Sequence, residues 1–384
     1  MSSISSGHAV ITDTRVVLSR SAVASIAASF LLMGVVVAAY GPLLEHLTHR
    51  FGVSLPLAGA TISVHFTGAL IGVLVAMRAM ERVSGRLPVM VATGVVSLGC
   101  VAVALAPAWP VFVVAVFVLG LGFGVLVLGL NQLVAYSEGR RRAALLSALN
   151  GAYSAGAVAG PILVAAFAAD HFSLLFLAGA AAALALIPVA GGISGRLPVS
   201  AGRPGRPELL VLIFVAAFVL YVGIENGTGG WMTSHLESVG LRSRDAAAYT
   251  SGFWLAVVTG RFLMTLVPSS VPEAAIVLTG SIVAAVSLLA ASIGAVAPWA
   301  YIVTGLAIAP IFPTGIVWLA KLRPGDSRAT SWLFPAASLG GIAGPGAIGL
   351  VIAGSGVGWV PLVLGVVATG MLLTFWLANR FARS

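Results

Sequence analysis

Apolar runs of about 20 residues, the length a helix needs to cross a bilayer core, recur along the whole chain. Twelve of them lie near 21–44, 56–78, 88–106, 110–136, 143–168, 172–191, 209–235, 246–267, 273–294, 298–320, 328–353 and 358–379. In lipid, only helices and closed barrels satisfy every backbone N–H and C=O. These runs are too long and too continuous for barrel strands, which need about 10 residues each. The expected fold is therefore all-α and integral to the membrane, with twelve transmembrane helices. Charged residues make up 8% of the 384, against roughly 25% in a soluble domain. That is too little to solvate a cytosolic enzyme, and the short connections leave no room for a separate soluble domain.

Lys and Arg number 20 against 11 Asp and Glu, a net charge of +9. A nucleic-acid partner would require a contiguous basic face, whereas these arginines are scattered in twos and threes between spans. With the N-terminus inside, only Arg50, Arg242 and Arg244 fall on the outer side. The positive-inside rule then places both termini in the cytoplasm of a multi-pass protein of the cytoplasmic (inner) membrane. Residues 1–20 are polar and Ser/Thr-rich, as a disordered cytoplasmic tail would be, and Ser21–Leu44 is too long for a signal-peptide core. Cys100 is the only cysteine, so there is no intramolecular disulfide, and no His/Cys cluster has metal-site spacing. Gly120-Leu-Gly-Phe-Gly124 lies inside an apolar run without a preceding strand, so it is no nucleotide loop. No cofactor is expected, and no ATP-driven step.

The longest polar connection, 192–208, divides the chain into bundles of six helices at 21–191 and 209–384. The two halves repeat. Ser154-Ala-Gly-Ala-Val-Ala-Gly160-Pro161 in span five returns 184 residues later as Ser338-Leu-Gly-Gly-Ile-Ala-Gly344-Pro345 in span eleven. Gly68 maps onto Gly252 by the same offset. A repeat at about half the chain marks a duplicated, pseudo-symmetric transporter bundle, although Gly-x-x-x-Gly alone is also the ordinary device of close helix contact.

Several strings carry a resemblance to a known family: Gly41-Pro-Leu-Leu44, Gly120-Leu-Gly-Phe-Gly124, Gly129-Leu-Asn131, Tyr221-Val-Gly-Ile-Glu225, Gly260-Arg261 and Ala309-Pro-Ile-Phe-Pro-Thr314. Over all twelve spans the chain resembles the major facilitator superfamily, and in these strings its branch of fucose permeases and related sugar–proton symporters. The resemblance implies two six-helix bundles and a small-molecule substrate moved with protons by a chain that works as a monomer. It also implies structural or gating roles for Arg261 and for Glu81, Arg82, Gly85 and Arg86, a degenerate form of the superfamily's loop motif. Gly160, Pro161, Gly344 and Pro345 fall in the same class. Departures are equally informative. Val116 stands where the drug–proton antiporters carry a span-four arginine, and Val164-Ala165 replace a glycine pair of their span-five motif. The membrane acids of the fucose permeases would fall near Gly41 and Val127.

Ten of the eleven acids lie in tails, loops or at span ends; Glu225 is near the middle of span seven. A charged residue there costs roughly 2.5–3.5 kcal/mol on insertion scales, and binding a proton is the usual relief because desolvation disfavours the charged form. Two roles are open: a proton-coupling acid, or a protonated glutamate that hydrogen-bonds a neighbouring helix. Asn226-Gly-Thr-Gly-Gly230-Trp231 follows at once, with three glycines in four residues. It would suit either an interrupted helix of the kind that builds transporter sites or tight helix contact. Candidate substrate contacts are Asn226, Trp231, Asn131, Asn150, Tyr153, His65, Trp254 and Trp332. Amides pair with sugar hydroxyls as donor and acceptor together, and aromatic faces stack on sugar rings. For each amide and for His65, an interhelical hydrogen bond is the competing role.

The function these features favour is proton-coupled import of a small polar solute, a sugar or sugar-like molecule, by alternating access. Proton-driven efflux of an amphipathic compound is the alternative. A membrane enzyme would need converging catalytic groups, and Glu225 shows no partner in the sequence.

Overall fold

The computed structural model describes residues 16–137, 142–194, 208–268, 270–323, 329–330 and 332–382. Spans one to four are the helices Arg20–Phe51, Leu55–Arg82, Arg86–Leu105 and Trp109–Ala135. One helical stretch, Arg142–Leu186, leaves helical geometry at His171 (φ −137°, ψ 36°) and so supplies spans five and six. Spans seven, eight and nine are Leu209–Ser238, Ser243–Leu263 and Glu273–Ala290. Span ten is divided into Ala297–Ile308 and Ile311–Leu322, and spans eleven and twelve are Leu333–Ser355 and Val360–Phe381. Among the described residues, eleven are long and apolar enough, by length and composition, to cross a membrane. The twelfth is span eight, which carries Arg244, Asp245 and Arg261 in 21 residues. It packs against spans five and ten.

Local chemistry sets the boundaries. Ser19 caps span one, its hydroxyl accepting from the Ala22 N–H at 3.1 Å, and Gly52 ends it with φ +65°, where a side chain would be strained. Spans two, four, ten and twelve each begin with a proline in the first turn, Pro56, Pro110, Pro298 and Pro361, where no N–H is needed. Pro310 divides span ten because it cannot donate to the preceding turn and its ring crowds it. The N-terminal region differs from the expected disordered tail at its last residues. Val17–Leu18 pairs antiparallel with Ile193–Ser194, and the Ser19 N–H donates to the Gly192 C=O at 3.2 Å. Residues 1–15 of that tail and 195–207 of the linker lie outside the described residues.

The two bundles repeat their contacts. Span one lies against span five as seven lies against eleven, two against four as eight against ten, and three against four as nine against ten. The repeated string explains the first pair. A Cβ on Gly156 or Gly160 would stand 2.0 or 2.7 Å from the Leu31 or Val35 carbonyl of span one. On the equivalent Gly340 and Gly344 it would stand 2.4 Å from the Val219 and Gly223 carbonyls of span seven. These glycines let helix backbones touch inside each bundle. Between bundles, span two meets eleven, span five meets eight, and span one meets seven.

Candidate functional site

Twelve spans return the chain ends to one face of the membrane, so the other can be called the far face. The bundles close on each other in the half of the molecule toward that far face. Gly41 of span one sits so close to span seven that a Cβ would come within 2.3 Å of the Gly229 carbonyl. The Trp231 indole fills the space beside Gly59 of span two and Gly349 of span eleven, and its N–H donates to the Pro345 carbonyl at 3.0 Å. Ser63 donates to the Ile342 carbonyl across the same seam at 2.8 Å, and Phe66 covers Gly341. The seam is closely packed, and glycine is what makes it thin.

The run after Glu225 therefore does something other than interrupt the helix: Leu209–Ser238 is continuous. Each glycine admits a different neighbour. Gly223 meets Gly344, Gly227 meets Ile348, Gly229 meets the Trp254 ring, and Gly230 meets Ile62. Span seven is surrounded on every side here, and small residues allow it without unwinding.

Toward the chain-end face from this seam, the two charges inside the spans come together. Arg261 Nη2 donates to Glu225 Oε1 at 3.2 Å, and Arg261 Nη1 donates to Ser154 Oγ at 3.1 Å. Ser154 belongs to the first bundle and itself donates to the Asn150 carbonyl at 2.9 Å. The three residues thus link spans seven and eight of one bundle to span five of the other. Glu225 keeps 14% of its side-chain surface exposed and Arg261 keeps 30%. Tyr153 of span five and Tyr221, one turn before Glu225, stand close enough to feel both charges. The Tyr221 hydroxyl is buried and has no hydrogen-bond partner among the described residues. Glu225 shows no partner in the sequence, and the family resemblance implies only a structural or gating role for Arg261. Each instead neutralises the other, since two isolated charges in this setting would be far more costly than a pair.

The other candidates are dispersed over the molecule. Tyr153 and, through its carbonyl, Asn150 belong to the Glu225–Arg261 cluster. Asn226, Asn131 and Asn150 each donate to a carbonyl four residues earlier on their own helix, Val222, Val127 and Leu146; Asn226 is buried and Asn150 exposed. Their amides are anchored locally, which leaves the side-chain oxygens and a second N–H for other partners. Trp254 is buried over Gly229 with its indole N–H unpaired among the described residues. Trp231 is wholly buried in the seam, and His65 is wholly buried within the first bundle. His65 Nδ1 lies 3.0 Å from the Tyr40 hydroxyl, and its ring meets Phe66 and Phe123 edge-on. Trp332, 39% exposed, precedes span eleven at the chain-end face.

In the loop motif, Gly85 is buried under Leu133 of span four, Arg82 is exposed, and Arg86 lies over Gly191 and contacts Met90 Sδ at 3.3 Å. The Glu81 side chain lies outside the described residues. Ser154 and Tyr221 were not singled out beforehand, although both stand inside quoted strings: Ser154 opens the internal repeat and Tyr221 opens the span-seven match.

Comparison with known proteins agrees with this architecture. The model of the Major Facilitator Superfamily matches residues 26–304. The chain belongs to this superfamily of transporters. Among solved structures, a D-xylose–proton symporter superposes with a TM-score of 0.78 at 15% identity, covering 93% of this chain and 97% of that one. A POT family transporter in complex with 5-aminolevulinic acid gives a TM-score of 0.79 at 13% identity, with coverages of 94% and 96%. A bacterial homolog of the human lysosomal transporter Spinster, in an inward-facing and occupied conformation, gives 0.74 at 15%, with 93% and 96%. At such identities the likeness concerns the fold. No curated protein matches the chain.

Proposed function

We propose that this superfamily member imports a small polar, sugar-like solute together with protons across the cytoplasmic membrane, working by alternating access as a single chain. The arginine asymmetry supports a cytoplasmic location for both chain ends. On that reading the far face is extracellular, and the close packing of Trp231 and its glycine neighbours there supports a state closed on that side.

One observation carries the coupling role. Glu225 is partnered by Arg261, and that arginine also grips Ser154 of the opposite bundle. A change in the protonation of Glu225 therefore changes what Arg261 is held by, and Arg261 is a tie between the two bodies that must move. Protonation loosens one half of the tie; deprotonation restores it. This is a differential interaction with two conformations, which a coupling group requires. Tyr153 and the free side-chain atoms of Asn226 supply hydrogen-bonding groups for a polar solute beside that cluster.

Uptake of a labelled sugar panel into proteoliposomes, with and without an imposed pH gradient, tests the proposal. Gradient-dependent accumulation is expected. Outward movement of hydrophobic dyes alone would replace it with the efflux alternative.

A further inference from the structure

Arg261 sets a condition on the solute. Its guanidinium has five N–H donors in a fixed fork, and the structure engages it by one contact to Glu225 Oε1 and one to Ser154 Oγ. Neither contact is the two-pronged fork-to-carboxylate geometry that uses this group fully. Beside it stands the buried Tyr221 hydroxyl, which interacts with both Arg261 and Glu225, and Tyr153 faces the same two charges. A guanidinium that is 30% exposed and engaged by two single contacts, with two phenols beside it, is a half-filled receptor for an anion.

The coupling role proposed for Glu225 sharpens this. If Glu225 takes a proton while a neutral solute is bound, Arg261 is left as a lone cation in a low-dielectric setting, and removing one partner of such a pair is strongly unfavourable. The groups facing it from the elements around it are Glu225 and Tyr221 of span seven and Tyr153 and Ser154 of span five. Of these only Glu225 bears a negative charge. An incoming carboxylate resolves the difficulty. It takes the guanidinium in the two-pronged geometry, Glu225 gives up its arginine and accepts one proton from water, and the cluster keeps its net charge.

We propose that the transported solute is a polyhydroxylated carboxylate, a sugar acid, which binds Arg261 as the proton binds Glu225, so that one proton and one anion cross together with no net charge moved. This deepens the proposed function and rests on its coupling role for Glu225. The bond changes balance: a solvent-derived proton is bound by a Glu225 oxygen, the solute carboxylate replaces that oxygen on Arg261, and both steps reverse on the inner side.

The test uses matched pairs that differ in the carboxylate, glucose with glucuronate and galactose with galacturonate, along with gluconate and galactonate. Each is supplied to proteoliposomes of the full chain. Expected are accumulation of at least one acid under an inside-alkaline pH gradient, no response of that accumulation to an imposed membrane potential, and no accumulation of its neutral partner. Arg261→Gln should weaken acid binding about 30-fold or more, the scale of deleting one partner of a buried charge pair. Ser338→Ala, outside the cluster, should bind and accumulate the acid like the natural chain, and an unaltered size-exclusion profile of Arg261→Gln would show that its loss of binding is not misfolding. Accumulation of neutral sugars in preference to all four acids, or movement of an acid that carries net charge, would overturn the inference and leave proton-coupled import standing. Accumulation indifferent to the pH gradient would remove both.

Discussion

The two halves of the molecule share a scaffold and differ in chemistry. Their helix contacts repeat pair by pair, and even the glycines of the duplicated string meet equivalent carbonyls. Yet both charges of the central cluster belong to the second half, while the first contributes the Ser154 hydroxyl. Position by position, Glu225 corresponds to Gly41 and Arg261 to Met77. The structure shows why Gly41 could not carry an acid as well. Its missing Cβ is the space occupied by the Gly229 carbonyl of span seven. One copy of the position is a close helix contact and the other carries the charged group, so the two halves share a frame and differ in chemistry.

That comparison can be broken most forcefully at Arg261. Arg261→Ala leaves Glu225 unpaired and is expected to cost about 3 kcal/mol in stability, the lower end for a broken ion pair of this kind because the guanidinium is partly exposed. Thermal unfolding followed by size-exclusion chromatography would read this, and Met77→Ala at the equivalent position should show no comparable loss. Next in size is Gly41→Ala. Its new methyl meets backbone that cannot yield, at an expected cost of about 2 kcal/mol. Labelling of cysteines placed in the far seam should rise as spans one and seven separate. Ser154→Ala removes a hydrogen bond to a charged group, worth about 1.5 kcal/mol, and should slow pH-driven uptake about tenfold while leaving the fold intact. Ser338→Ala, its counterpart in span eleven, should not slow it. The smallest effect belongs to Trp231→Phe, which keeps the ring in the seam but leaves the Pro345 carbonyl without its donor. About 1 kcal/mol of stability should be lost, with little change in uptake.

How much of this was legible beforehand follows from what each feature depends on. Span positions depend on runs of apolar residues and the duplication on a repeated string, so both are written in one dimension. So was the singularity of Glu225, since an acid in mid-span is visible without a neighbour. Its partner was not. Arg261 lies 36 residues away on the next span, and only the rotation of both helices decides whether it turns to the lipid surface or inward. The glycines after Glu225 were ambiguous for a related reason: composition permits both an unwound helix and a crowded one, and the crowding by Trp254, Ile62, Ile348 and Gly344 comes from three other helices. Trp231 illustrates the same limit. An indole beside a membrane acid suits a sugar ring equally well as a seam, and the seam is made by Gly59 and Gly349, each more than a hundred residues away in the chain.

The measurement closest to the central claim compares two modes of transport in one variant. In proteoliposomes, Glu225→Gln should exchange labelled solute across the membrane at a rate near that of the natural chain, because the neutral side chain still permits the bundles to rock, while accumulation driven by a pH gradient should vanish. Full gradient-driven accumulation by Glu225→Gln would contradict a coupling role for this residue.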